Sequence, residues 1–128
     1  MNTTLILAIV SMLLAATLYT VAVFSERAAG ILKPWHLGLF WIGLGFDTFG
    51  TTLMSQIAGG WKWDVHGVIG LTAVALMLIH SVWATTALVF KQEAVLRTFK
   101  KFSVHVWALW MAAFISGIVL VALGSLSG

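Results

Sequence analysis

The stretch VHGVIGLTAVALMLIHSVWATTALVF, residues 65–90, decides how this chain is read. It contains no acid and no base other than His66 and His80, and it is longer than the roughly 20 apolar residues needed to cross hydrocarbon. The two histidines are fourteen residues apart. On a helix that separation makes roughly 1400° and a rise of about 21 Å, some 40° short of four whole turns. Both imidazoles therefore lie on nearly one side of a transmembrane helix, at two depths. An ionisable side chain inside a bilayer is costly, and each one marks a functional position by default.

Three more apolar runs accompany this one, giving spans at about 4–24, 35–58, 65–90 and 103–124. Of the 128 residues 61% are hydrophobic and only 9% charged, far below the quarter usual in soluble domains. The expected fold is all-α, a single transmembrane domain built as an up-down four-helix bundle. The connections, 25–34, 59–64 and 91–102, are short enough to make consecutive helices antiparallel neighbours. The chain has no cysteine, which excludes disulfides, thiolate metal sites and cysteine nucleophiles. The first run has no preceding base and is too long for a signal-peptide core, so it reads as a retained helix.

The net charge of +3 reports topology rather than nucleic-acid binding. Arg27, Lys33, Lys91, Arg97, Lys100 and Lys101 fall on one side of the bundle and Lys62 alone on the other. By the positive-inside rule, the expected location is the plasma (inner) membrane with both termini outside. Trp35 on the inner side, with Trp61 and Trp63 on the outer, suits an aromatic belt. Pro34 suits a helix start and Gly59-Gly60 a helix stop. Residues 93–102 read as a solvated, lipid-facing loop or a helix extension.

Helix 2 carries His36, Phe40, Gly43, Asp47, Gly50 and Met54 on one face, and helix 3 carries His66, Gly70, Ala73, Met77, His80 and Ala84. Small residues between ligand-type residues either let helices pack closely or leave room for a flat macrocycle. The glycines alone favour packing. The histidines weigh the other way, because an imidazole in hydrocarbon must find a carbonyl, carboxylate, quinone or metal. His36 and His66 lie near helix ends, where an interfacial role competes. His80 lies about ten residues from either helix end, where water should not reach it.

Folding each hairpin about its midpoint makes His80 level with His105 and places His36 about 7 Å shallower. A bis-imidazole site of His80 with His36 or His105 on the inner half is the expected geometry. His66 lies near the outer surface, where Met54 is the only soft ligand at its level. The H-x13-H spacing is how b-type cytochromes hang two hemes on one helix. That pattern is incomplete here, since Gly50 and Val119 stand fourteen residues after His36 and His105. Asp47, near the middle of helix 2, has three readings. It could fix an imidazole N–H, relay protons, or bond a threonine in helix packing.

Several strings occur together in order: KPWH at 33–36, FDTFGTTLMS at 46–55, VHG at 65–67, IHSVWAT at 79–85, KFS at 101–103 and ISG at 115–117. In this order and spacing the chain resembles the small four-helix heme-sensing membrane protein (HsmA-like) family, over nearly its whole length. The resemblance implies heme binding in the bilayer and a link to heme or redox stress. It carries over His36, Asp47, His66 and His80, and Ser103 more weakly. Some relatives have a histidine where this chain has Lys100, which makes His105 the substitute.

The leading expectation is a heme b protein that sequesters heme or carries electrons across the membrane. Its metal ligands would come from His80, His36, His105 and His66, with Gly43, Gly70 and Met77 lining the cofactor. A second is a quinone- or superoxide-reactive membrane cytochrome with Asp47 as its catalytic proton-managing residue. A third is a heme-free proton-coupled transporter or accessory subunit, which at four helices would need a homo-oligomer. The expected partners are heme, the lipid bilayer and, on the second reading, quinone.

Overall fold

A computed structural model describes residues 3–57, 59–60 and 65–127, with side chains at 3–56, 59–60 and 67–119. Four helices follow one another: α1 (Thr3–Ala29), α2 (Pro34–Ile57), α3 (Val65–Val89) and α4 (Glu93–Ser127). There is no strand among the described residues. Each helix packs on its neighbours in sequence and α4 closes back onto α1, giving a ring of four with the core on the common axis. The α1–α2 and α3–α4 pairs are the most extensive contacts.

All four helices are long and apolar enough to cross a membrane, which is compatible with a multi-pass membrane protein. The burial pattern explains why none of them is conventionally amphipathic. In α1 the buried positions are Ala8, Ser11, Ala15, Tyr19, Ala22, Val23 and Glu26. Its large aliphatics Ile6, Leu7, Val10, Leu13 and Leu14 face outward. Small residues mark the inner face because close helix approach, not apolar contrast, selects them. Beside Gly50 an added Cβ would lie 2.7 Å from the Met12 sulfur and 3.3 Å from the Ala8 carbonyl oxygen, so α1 and α2 nearly touch there.

Two boundaries differ from expectation. Helix α1 runs through residue 26 to Ala29, where Gly30 in the left-handed region (φ 78°) ends it and donates its N–H to the Glu26 carbonyl at 3.0 Å. Helix α4 begins at Glu93, so residues 93–102 form a helical extension instead of a connection. At 35 residues α4 is about 52 Å long, well beyond a hydrocarbon core of about 30 Å, so its basic first turns project past the apolar part.

The α1–α2 and α3–α4 connections share one end of the bundle. The Leu32 N–H donates to the Leu96 carbonyl (3.1 Å), and the Lys100 ammonium donates to the Gly30 carbonyl (3.3 Å). Because Arg27, Lys33, Lys91, Arg97, Lys100 and Lys101 all lie on or beside these connections, we refer to this as the basic end. Lys62, Trp61 and Trp63 lie outside the described residues.

Candidate functional site

Among the described residues seven polar or charged side chains are buried: Ser11, Glu26, His36, Asp47, His80, Ser81 and Ser103. Five of these, Glu26, His36, His80, Ser81 and Ser103, lie toward the basic end, and Asp47 lies deeper.

Asp47 is held by donors from three sides. The Trp110 indole N–H donates to Oδ2 at 2.8 Å and the Tyr19 hydroxyl to the same oxygen at 3.1 Å, while the Thr51 hydroxyl approaches Oδ1 at 3.5 Å. The Tyr19 and Trp110 rings meet edge to face, 4.9 Å between centroids. One carboxylate thus ties α1, α2 and α4 together, and none of its donors is a histidine. The main donors of this inter-helix hydrogen-bond network are Trp110 and Tyr19. Tyr19 also takes the space beside Gly43, where a Cβ would lie 2.8 Å from its ring. That glycine admits a tyrosine ring from α1. Beside Gly70 nothing lies within 4 Å of an added Cβ.

His80 is fully buried on α3 inside an aromatic shell. Phe40, Phe99 and Phe102 have ring centroids 4.5, 4.8 and 5.9 Å from the imidazole. Met77, also fully buried, lies one turn earlier on the same face. The His80 Nε2 atom is 2.7 Å from the Ser103 hydroxyl, and Nδ1 has no partner.

His36 is equally buried, and its chemistry is set by the start of α2. Its Nδ1 accepts the Lys33 backbone N–H at 3.0 Å, three residues back. This is the reciprocal half of a capping box, with histidine in the place usually taken by Glu or Gln. An Nδ1 that accepts a hydrogen bond leaves the proton of a neutral ring on Nε2. The Nε2 atom is buried without a partner, so His36 presents an N–H to the interior and not a lone pair.

His105 does not join the interior. The α3–α4 hairpin sets His80 against Ser103, and His105, two residues further along α4, is turned about 200° away. It is exposed, with Nδ1 2.7 Å from the Lys101 carbonyl oxygen, so this nitrogen carries the ring proton and Nε2 is bare. Met54 is half-buried on α2. The His66 side chain lies outside the described residues.

Two residues of this region escape a reading by motif. Glu26 is completely buried with neither carboxyl oxygen completing a hydrogen bond. Ser81 is buried with its hydroxyl unpartnered. The signal for Glu26 is positional: residues 8, 11, 15, 19, 22 and 26 form one stripe at three- and four-residue steps. Ser103, from α4, meets the imidazole from α3 through its hydroxyl.

Among the described residues no three His, Cys, Asp or Glu side chains converge into a metal-ion cage. No family model, no curated protein and no solved structure matches the chain.

Proposed function

We propose that the chain is an integral plasma-membrane protein, both termini outside, that binds heme b at its basic end through His80. Its role on this reading is heme sequestration or transmembrane electron transfer. The observation that carries the reading is the concentration of buried polar atoms without partners in this one region. They are both Glu26 oxygens, His36 Nε2, His80 Nδ1 and the Ser81 hydroxyl. Each such atom costs about 1–3 kcal/mol when left unpaired, and a ligand that engages them offsets that cost.

The residues fit a heme in part. His80 has one nitrogen anchored on Ser103 and the other without a partner, the division of labour expected of a ligating imidazole. His36, with Nδ1 taken by the Lys33 N–H, fits as a hydrogen-bond donor to an acidic group and not as an axial ligand. His105 has a bare Nε2 but faces outward, so its use as a ligand calls for a second copy of the chain or a heme on the outer surface of the bundle. A bound heme supplies a one-electron carrier; the chain supplies the nitrogen, the aromatic shell of Phe40, Phe99 and Phe102, and a route for hydrogen bonds to the basic end.

Purified protein should show a Soret band, with sharp α and β bands on reduction. His80→Ala should abolish or shift them, while His36→Gln, which keeps a group able to cap α2, should leave them in place. A coloured protein whose spectrum is unchanged by His80→Ala would sink the assignment.

The buried, unpartnered Glu26 carboxyl favours a second reading, a proton-handling protein that is heme-free or reacts with quinone. Here Glu26 replaces Asp47 as the acid with spare hydrogen-bonding capacity, since Asp47 is engaged by three donors and Glu26 by none. A colourless membrane fraction on overexpression would favour this reading over the first.

A further inference from the structure

We propose that the seam between α2 and α3 is a lateral entrance through which a lipid-dissolved ligand reaches His80, and that the Trp41–Thr85 hydrogen bond holds it shut. The proposal rests on the heme reading only in bringing a ligand to His80.

The four helices divide into two hairpins. Within α1–α2 the backbones nearly touch at Gly50, and Tyr19 lies against Gly43 and bonds Asp47. Within α3–α4, His80 meets Ser103, and Trp83 meets Phe99 and Phe102 edge to face. The hairpins face each other across two thinner seams, α2–α3 and α1–α4. On the α1–α4 side the ties are spread along the bundle. The Trp107 indole N–H donates to the Thr20 hydroxyl (3.0 Å), Phe24 meets the Trp107 ring edge to face at 5.1 Å, and the Lys100 ammonium holds the Gly30 carbonyl. These ties make the α1–α4 side the hinge.

The α2–α3 side is closed differently. Trp41 is exposed on the outer surface of the bundle, and its indole N–H donates to the Thr85 hydroxyl at 2.9 Å. That hydroxyl donates in turn to the Ser81 carbonyl, one turn earlier on α3, at 2.8 Å. Phe40, the residue before Trp41, is fully buried with its ring 4.5 Å from the His80 imidazole. Helical phase puts Ser81 and Thr85 on one flank of α3, while Trp83 contacts α4 from the other. The Ser81 hydroxyl is therefore buried just inside the Trp41–Thr85 bond, and it has no partner. His80 Nδ1 on α3 and His36 Nε2 on α2 also lack partners, so both helices bordering this seam carry polar atoms that a ligand could engage. A swing about the hinge breaks the Trp41–Thr85 bond and parts Phe40 from His80, while each hairpin keeps its internal packing. One neutral hydrogen bond between membrane helices is a modest barrier. When closed, it gives the indole N–H an acceptor that hydrocarbon cannot supply.

Because the chain has no cysteine, a Ser81→Cys variant carries a single thiol, placed just inside the closed bond. In lipid vesicles without heme, its alkylation by a membrane-soluble maleimide (N-cyclohexylmaleimide) reads how often the seam opens. Adding Thr85→Val or Trp41→Phe should speed labelling about threefold, the size expected of one hydrogen bond between membrane helices. Thr85→Ser, which keeps the hydroxyl, should label at the parent rate. Thr20→Val, which breaks the matching bond on the hinge side, should leave the rate unchanged. Labelling that neither Thr85→Val nor Trp41→Phe speeds overturns the proposal. An equal gain from Thr20→Val also overturns it, because that marks general loosening of the bundle. With Ser81 intact, heme uptake from vesicles should rise by the same factor in Thr85→Val. A protein that binds no heme yet labels in this pattern would overturn the heme reading and leave the entrance standing. A heme protein whose labelling ignores both α2–α3 variants would do the reverse.

Discussion

Among the described residues two carboxyl groups are buried, and they are provided for in opposite ways. Asp47 has indole, phenol and threonine donors from three helices around it, while Glu26, equally inaccessible, completes no hydrogen bond at all. The contrast extends to their surroundings. Around Asp47 lie Tyr19, Trp110 and a glycine that lets a ring approach the backbone. Around Glu26, at the basic end, lie polar groups with capacity to spare. A satisfied polar network rigidifies and specifies a core, whereas an unsatisfied one destabilises it unless something else benefits. The Asp47 region therefore reads as the structural clasp of the bundle and the Glu26–His80 region as its working part.

The strongest way to break this comparison is to remove the clasp. Asp47→Ala leaves the Trp110 N–H and the Tyr19 hydroxyl buried without an acceptor. It should cost about 2–4 kcal/mol, allowing for the modest worth of hydrogen bonds between membrane helices. Asp47→Asn, which retains an acceptor oxygen, should cost less. Unfolding in detergent measures both, and a loss of heme binding or proton coupling in Asp47→Asn at unchanged stability would show that the clasp is also a working residue.

A smaller effect is expected at Gly43. A Cβ there would lie 2.8 and 2.9 Å from the Tyr19 ring and 3.4 Å from Leu18 Cβ, and Tyr19 cannot swing aside without leaving Asp47. Gly43→Ala should therefore destabilise by about 1–2 kcal/mol through overpacking. Gly70→Ala, where the same Cβ meets open space, should be neutral or slightly stabilising, because alanine is the better helix former. Equal effects at the two glycines would mean that α1 and α2 do not approach as closely as described.

How much of this was legible depended on which signal each residue carries. The helices announce themselves through length and composition, and Pro34 and Gly59-Gly60 mark two of their ends. The α2 face from His36 through Asp47 to Gly50 and the α3 face from Ala73 through His80 to Ala84 follow from helical phase, and both are buried. Glu26 was hidden because Ser25, Glu26 and Arg27 look like the polar start of a connection. Hydrophobic contrast could not correct that, since in a bundle apolar on all sides the inner face is marked by Ala8, Ala15 and Ala22 and not by leucines. His105 faces outward because the α3–α4 pairing sets Ser103, two residues earlier and more than half a turn away, against His80. The capping role of His36 depends on a single backbone hydrogen bond, which the KPWH string permits but does not dictate.

The smallest expected effect is the sharpest test of the contrast. Glu26→Met replaces the carboxyl with a thioether of similar length and flexibility. At a position where a polar group served stability, such a change would cost as much as Asp47→Ala. Here the carboxyl completes no hydrogen bond, so its removal relieves a buried polar group. Stability should change by less than about 1 kcal/mol, and a gain would be unsurprising. A buried acid that proves dispensable for folding marks a site less stable than the fold could make it, as expected where a residue is kept for function. If Glu26→Met unfolds the protein as readily as Asp47→Ala, the two carboxyls are both clasps and the distinction between the two ends collapses.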